Sequence, residues 1–316
     1  MRLTLRQLLI FTAVADTGST TAAGERVALS QSATSGALNE LESLLGAQLF
    51  DRIGKRLLLN DNGRALLPQA RSLLDGAQEI EGRFGLRSAG AATAPLVTRL
   101  RVGASTTIGN YVLPALVAGY SRTWPNAAVD VVIDNTRDIA AAMSRLEVDV
   151  GLIEGPCHEA ELSVAPWLRD ELVIVAAPTH ALVQADPRAR VPLKDLRQAR
   201  WLLREQGSGT REAVEHVLLP HLHHLNGDMQ PGSTEAIKQA AAEGMGLACL
   251  SLCAVRDLVT LGRLVVLRTT LPHLTRRFYL VHHRQKRLSA NLQRFMAHCE
   301  RPGMEFPWLP MNLPKK

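Results

Sequence analysis

Near residue 95 the hydrophobic pattern of this chain changes period, and that change constrains the fold more than any overall percentage does. Up to there apolar residues recur almost continuously at helical spacing, with one short extended piece. Beyond it, short strand-like apolar runs at 100–104, 129–133, 148–153, 172–176, 247–250, 264–267 and 278–281 alternate with helical segments. Strands alternating with helices predict an α/β fold with a largely parallel sheet, and about 220 residues of such pattern predict two sheets. Between the two regimes, Arg87-Ser88-Ala89-Gly90-Ala91-Ala92-Thr93-Ala94-Pro95 is rich in small residues and ends in proline, which is the pattern of a linker.

Composition narrows the setting. With 316 residues, 46% hydrophobic and 21% charged, the chain has material for two or three cores and is not a disordered segment. No stretch approaches ~18 apolar residues without charge or proline, so no membrane-spanning helix and no membrane partner are expected. Met1-Arg2-Leu3-Thr4-Leu5-Arg6-Gln7 runs on to Asp16 with no small-residue cleavage pattern, and reads as a folded amphipathic helix, not a secretory leader. Four cysteines, at 157, 249, 253 and 299, are too scattered for a disulfide framework, which makes the cytoplasm the expected compartment. The net charge of +6 is a weak guide to partners. Residues 1–90 carry ten Lys and Arg against nine Asp and Glu, whereas 268–316 carry ten against two, so the surplus belongs to the C-terminal end.

The first sixty residues hold a more specific signal. Leu5, Leu8, Leu9, Phe11, Thr12 and Ala15 share one face of a first helix. Ser19-Thr20-Thr21 opens a second helix of small residues through Ala28, and Ser30 caps a third that runs to Glu42. Ala23 and Gly24 allow two helices to cross closely, with Val27, Leu29, Ala33 and Leu38 expected to bury between them. That leaves Gln31, Ser32, Thr34 and Ser35 at the exposed start of the third helix, with Ser30 fixing the turn. Short hydrogen-bonding side chains at a protruding helix start are what a recognition helix brings to base edges and phosphates in a major groove. Extended pieces then flank Gly54 and place Lys55 and Arg56 at a hairpin tip, with Arg52 on its approach, where they meet backbone or minor groove. A plain three-helix bundle with a hairpin is the alternative. The order of cap, small pair, polar end and basic wing favours double-stranded DNA.

Leu66, Ala70, Leu73, Ala77, Ile80 and Phe84 follow at spacings of 4, 3, 4, 3 and 4, a period of 3.5 that predicts a coiled-coil dimer seam, with a core-facing helix as the alternative. In the α/β part, Ser105-Thr106-Thr107 at a strand end opens a helix, and the layout recurs around Arg204 and Ser208 and at Gly232-Ser233-Thr234. Each is an ordinary helix cap when taken alone. Three on strand-end loops predict a ligand cleft, and free N–H groups with hydroxyls at helix starts favour an anion. Glu154 follows the strand 148–153 and points the other way chemically: it needs Arg204, Lys238 or Arg137 as a counter-charge, or it marks an amine-bearing ligand. No metal ligand set, dinucleotide fingerprint, Walker lysine or G-x-S-x-G elbow is present, so no cofactor, no metal and no catalysis are expected.

Residues 3–66 resemble the winged helix-turn-helix of LysR-type transcriptional regulators, through Ala28-Leu29-Ser30-Gln31-Ser32-Ala33, Leu41-Glu42 and Gly46-Ala47-Gln48-Leu49-Phe50-Asp51-Arg52. The similarity runs on through the whole chain. Gly18-Ser19-Thr20-Thr21, Gly54-Lys55-Arg56-Leu57, Ile153-Glu154-Gly155-Pro156-Cys157-His158, Gly207-Ser208-Gly209-Thr210-Arg211-Glu212 and His282-His283-Arg284-Gln285-Lys286 resemble the YeiE/CysL-like branch of that family. Gly36 departs from the pattern, standing where many members carry an Arg. The resemblance implies a DNA-binding domain over 1–62, a dimerising linker helix and hinge over 63–95, and over 96–305 two Rossmann-like lobes of periplasmic-binding-protein type. It implies promoter DNA, a homodimer or homotetramer, RNA polymerase and a small effector as partners. The effector would sit among Ser105, Thr106, Thr107, Glu154, Arg204, Ser208 and Thr234. The branch's association with sulfur metabolism implies sulfite or a related oxyanion, with an amino acid or other amine as the alternative. A solute-binding α/β protein that uses its N-terminal helices only for assembly is the more distant reading.

Overall fold

A computed structural model describes residues 3–54, 56–84, 98–125, 127–185 and 189–301. Lys55, the side chain of Phe84 and the linker stretch 87–95 lie outside the described residues. The chain divides into two compact units, 1–98 with 285–293, and 99–284 with 294–316.

The first unit contains α1 (Leu5–Thr17), α2 (Thr20–Arg26), α3 (Gln31–Leu45), β1 (Phe50–Ile53), β2 (Arg56–Leu59) and α4 (Asp61–Phe84). Thr4 and Gln7 form a reciprocal capping box at the start of α1, and Gly18, at φ 66°, closes its end. Leu8, Phe11 and Val14 of α1 meet Leu38 and Leu41 of α3, with Leu49, Leu67 and Ala70 completing one buried core. Gly24 is required where α2 meets the start of α3. A Cβ there would stand 2.7 Å from Leu29 O and 2.9 Å from Thr34 Oγ1. Three expectations change. Ala33 is exposed instead of lying between the helices. Ser19 occupies the N-cap position of α2 but makes no capping bond with its side chain. Ala70 is fully buried in the core beside Leu67, so it is not a seam position. Further along α4, Leu73 and Ile80 are 52% and 58% exposed.

The second unit begins with β3 (Thr98–Ser105), α5 (Thr106–Tyr111), α6 (Leu113–Thr123), β4 (Ala127–Asp134), α7 (Thr136–Ser144), β5 (Val150–Glu154) and the long β6 (Leu162–Ala176). It continues with α8 (Ala181–Gln184), α9 (Leu193–Gln198), β7 (Arg200–Leu202), α10 (Gly209–Leu222), β8 (Asn226–Met229), α11 (Thr234–Ala242) and β9 (Leu247–Ser251). α12 (Leu252–Thr260), β10 (Val265–Val266) and β11 (Thr275–His283) follow, and of α13 (Ala290–Cys299) residues 294–299 belong to this unit. The strands run in the order β4-β3-β5-β11-β6-β9-β7-β8, with β10 on β6.

β6 joins two lobes. Its first part pairs antiparallel with β11, and its last part, Leu172 to Val175, pairs antiparallel with β9. Among the described residues, parallel pairing joins β3 with β5 and β7 with β8 and β9, with an isolated parallel bridge between Val191 and Thr269. The sheet is therefore mixed, not largely parallel, because the strands that carry the chain between lobes run against the rest. The run at 172–176 proves to be only the second half of β6. In that half, Leu172, Ile174 and Ala176 face a core with Trp201 and Leu218, while Val173 and Val175 face another with Ile237, Leu250 and Val255. This period-2 division covers both faces of the second lobe's sheet.

Candidate functional site

In the first unit the loop between α2 and α3 turns through Ala28, at φ 54°, and leaves Ser30 to cap α3 by accepting from Ala33 N–H at 3.2 Å. Gln31 and Ser32 are exposed and Ser35 is half-buried. Gln31 Nε2 donates to Thr20 Oγ1 at 3.3 Å. Thr34 departs from expectation. It is fully buried, its hydroxyl donates to Ser30 O at 2.9 Å, and it fills the contact with Gly24, so it braces the turn instead of facing outward. On the wing, Arg52 is paired in register with Leu57 and Arg56 with Ile53, and both arginines are exposed. A Cβ at Gly36 would meet nothing within 4 Å, so the departure from the family pattern is not imposed by packing.

In the second unit the strand-end residues gather into two knots between the lobes. The first surrounds Glu154, 2% exposed, at the end of β5. Its carboxylate accepts from Thr107 N–H at 2.9 Å and Thr210 Oγ1 at 2.6 Å, and pairs with Arg276 Nη1 at 2.5 Å. Ser105 Oγ accepts from Glu154 N–H at 3.1 Å, and Thr136 Oγ1 donates to Glu154 O at 2.8 Å. Arg276 extends the knot, with Nε donating to Asp170 Oδ2 at 2.7 Å and Nη2 to Thr107 Oγ1 at 3.3 Å. Ser251 Oγ donates to Asp170 Oδ1 at 2.6 Å. Gly209, at the start of α10, lies flat on this knot. A Cβ there would stand 1.7 Å from Glu154 O, so only glycine lets the lobes meet.

These partners set the charges. Burial pushes Glu154 toward its neutral form, but the Arg276 charge and the Thr210 and Thr107 hydrogen bonds outweigh it and hold its pKa below the usual carboxylate value. Asp170 shares the same guanidinium, yet burial prevails there and raises its pKa. The counter-ion of Glu154 is thus Arg276, not Arg204, Lys238 or Arg137. Lys238 contacts Glu235 at 2.9 Å and Asp257 at 3.1 Å, and Arg137 pairs with Asp138 at 3.7 Å.

The second knot centres on Arg204, 3% exposed, which follows β7. Its Nη1 donates to Thr234 Oγ1 at 2.8 Å and its Nη2 to Thr106 Oγ1 at 3.3 Å, so hydroxyls from both lobes reach one guanidinium. Nε and Nη2 also grip the carboxylate of Glu205 at 2.7 and 2.8 Å. Among the predicted residues, Ser105, Thr107 and Glu154 therefore share one cluster and Thr106, Arg204 and Thr234 the other. Ser208 joins neither. Its hydroxyl caps α10 by accepting from Arg211 N–H at 3.4 Å.

Arg276, Thr210, Asp170 and Glu205 join the knots beyond the residues that the sequence predicts. Arg276 was legible in principle, because alternation along β11 puts it on the same buried face as Phe278 and Leu280. Burial pushes Cys249 and Cys253 up to about 12, which keeps both as thiols. Among the described residues, no group of three His, Cys, Asp or Glu could hold a metal ion, and no helix is long and apolar enough to cross a membrane.

The two halves of this architecture each match a known family. Residues 5–64 match the bacterial regulatory helix-turn-helix of the lysR family, and residues 94–302 match the LysR substrate binding domain. The chain belongs to the LysR family. It is 45% identical to the HTH-type transcriptional regulator YeiE of Escherichia coli K12 over 315 residues, covering all of both chains. It is 32% identical to the regulator CysL of Bacillus subtilis over 253 residues, 80% of this chain and 82% of that one. A full-length OxyR variant of Pseudomonas aeruginosa shares the fold with a TM-score of 0.73 at 24% identity, over 95% of this chain and 94% of that one. This LysR chain is accordingly a transcriptional regulator with a DNA-binding domain and an effector-binding domain, and not an enzyme.

Proposed function

We propose that this regulator acts in the cytoplasm as a homodimer, or a homotetramer built on it. It reads promoter DNA through the start of α3 and the β1–β2 wing, and it responds to a small sulfur oxyanion of the sulfite class held at Arg204. The observation that carries the effector reading is a buried guanidinium reached by one hydroxyl from each lobe. A compact anion with several oxygens satisfies such a set of donors without a second full charge. The sulfur assignment rests on the resemblance to the YeiE/CysL-like branch. An amine-bearing effector is disfavoured, because Glu154, which would receive the amine, already holds Arg276, Thr107 and Thr210.

Calorimetric titration of the full chain with sulfite, sulfate, thiosulfate and an amino-acid series tests the effector. An oxyanion should bind and the amino acids should not; an amino acid binding tightly while every oxyanion fails overturns the reading. For DNA, Gln31→Ala should reduce discrimination between operator and competitor by ~1–3 kcal/mol. Arg52→Ala should weaken binding to all sequences and flatten the salt dependence. A gel shift with DNA adjacent to the coding gene reads both, and unchanged specificity in a Gln31→Ala, Ser35→Ala double variant refutes the recognition assignment.

A further inference from the structure

Each nitrogen of the Arg204 guanidinium already donates, Nη1 to Thr234, Nη2 to Thr106 and Glu205, and Nε to Glu205. An anion that pairs with it therefore has to displace something, and three buried or partly buried carboxylates are in place. Glu154 and Asp170 are locked against Arg276 in the interior, whereas the Glu205 side chain is 27% exposed. Glu205 also follows Arg204 directly in the chain, in the loop that leads to α10. Its carboxylate can leave the guanidinium for water by side-chain torsions alone, with no strand or helix displaced. Leaving regains hydration, which neither buried carboxylate can do.

We infer that Glu205 is the resident counter-ion of the effector subsite, and that the effector binds by taking its place on Arg204. The inference rests on the oxyanion reading above and specifies its regulation. The exchange is selective. A carboxylate presents two oxygens, which fill the Nε–Nη2 edge of Arg204 and nothing more. An anion with three or four oxygens fills the same edge and offers further acceptors toward the hydroxyls of Thr234 and of Thr106, the latter turning its proton from Asp134 O, to which it now donates at 3.3 Å. Those hydroxyls come from opposite lobes, so the incoming anion ties the lobes together in a way that Glu205, on one lobe, does not. Competition by Glu205 also sets a threshold. The apparent affinity falls by the fraction of time Arg204 is free, so the regulator ignores low anion concentrations.

The test uses the full chain, with sodium sulfite and sodium sulfate as probes and sodium acetate as the two-oxygen control, read by calorimetry and by thermal shift. Glu205→Gln removes the competing charge while keeping the side-chain shape, and should bind sulfite roughly tenfold more tightly than wild type. Glu205→Asp should restore behaviour near that of wild type. Sulfate should raise the melting temperature of Glu205→Gln more than that of wild type, and acetate should raise neither. Sulfite binding that is equal or weaker in Glu205→Gln than in wild type overturns the displacement while leaving the oxyanion reading intact. Failure of every oxyanion on both proteins, with an amino acid binding instead, overturns both. A Glu205→Gln chain that only melts lower, with no gain in affinity, makes Glu205 a structural clip and also overturns the proposal.

Discussion

Glu154→Ala should cost the second unit about 3 kcal/mol of stability at neutral pH, the lower end of what removing one partner of a buried ion pair does. The deletion strands Arg276 in the interior and leaves unpaired the Thr107 amide and the Thr210 hydroxyl that now donate to the carboxylate. Asp170 offsets part of the loss. Burial holds it toward its neutral form while Glu154 is present, and it ionises more readily against Arg276 once Glu154 is gone. The pH dependence follows in sign. Glu154 has a folded pKa below its ordinary value of 4.5, so its contribution is present above that value and fades as pH falls toward the folded pKa. The gap between wild type and variant should therefore be widest at neutral pH and narrow in acid. Urea unfolding followed by tryptophan fluorescence reports this unit, since Trp124, Trp167 and Trp201 lie within it and residues 1–98 contain no tryptophan. Arg276→Met added to Glu154→Leu should not rescue the loss, because it also takes the guanidinium from the buried Asp170, which accepts from Arg276 Nε at 2.7 Å. A loss below about 1 kcal/mol in Glu154→Ala would show that the knot does not hold the lobes.

Elements whose apolar periodicity is uninterrupted are legible in the sequence, and those whose burial is polar are not. α1, α3 and the central strands carry continuous apolar signals, and Ser30 caps α3 as its residue type requires. The front half of β6 was hidden by Pro166 and by Arg169-Asp170-Glu171, residues that look like a loop until their partners on β11 are known. β7 and β8 span three and four residues, too short for any period to register. The same blindness explains the site. Hydroxyls at helix starts suggested a cradle for an outside anion, but at Ser105 and Thr107 the chain supplies its own anion in Glu154. The cation that makes this tolerable, Arg276, stands two residues before the apolar run at 278–281, some 120 positions from Glu154, and only tertiary structure joins them. Thr34 is turned inward for a related reason. A threonine in the first turn of a helix can turn its hydroxyl back onto the turn carbonyl, and Gly24 leaves it the space to do so.

Leu73→Asp should lower operator affinity roughly a hundredfold while leaving the melting of the first unit close to wild type, if the proposed dimer pairs through this face, because the side chain is 52% exposed and lies outside its own core. α4 carries two faces. Leu67 and Ala70 are buried in the core shared with α1, and Leu74 packs against it. Leu73 and Ile80 are more than half exposed and absent from that core, with Ala77 between them at the spacings 4 and 3 that keep a seam in line. Leu66 packs against the core and Ala70 lies within it, so of the predicted seam only Leu73 and Ile80, with Ala77 between them, lie outside that core among the described side chains. An aspartate at 73 in both copies sets two charges against each other in the middle of such a seam, and each would have to be desolvated without a counter-ion. Operator affinity falls with the dimer because one recognition helix reads too few bases, and two half-sites are held together only through the paired helices. Leu67→Asp is the control: it places the same charge in the core and should unfold the domain instead. Gel shift, sedimentation and thermal melting on the full chain separate these outcomes, and operator affinity within about threefold of wild type for Leu73→Asp would place the dimer contact elsewhere.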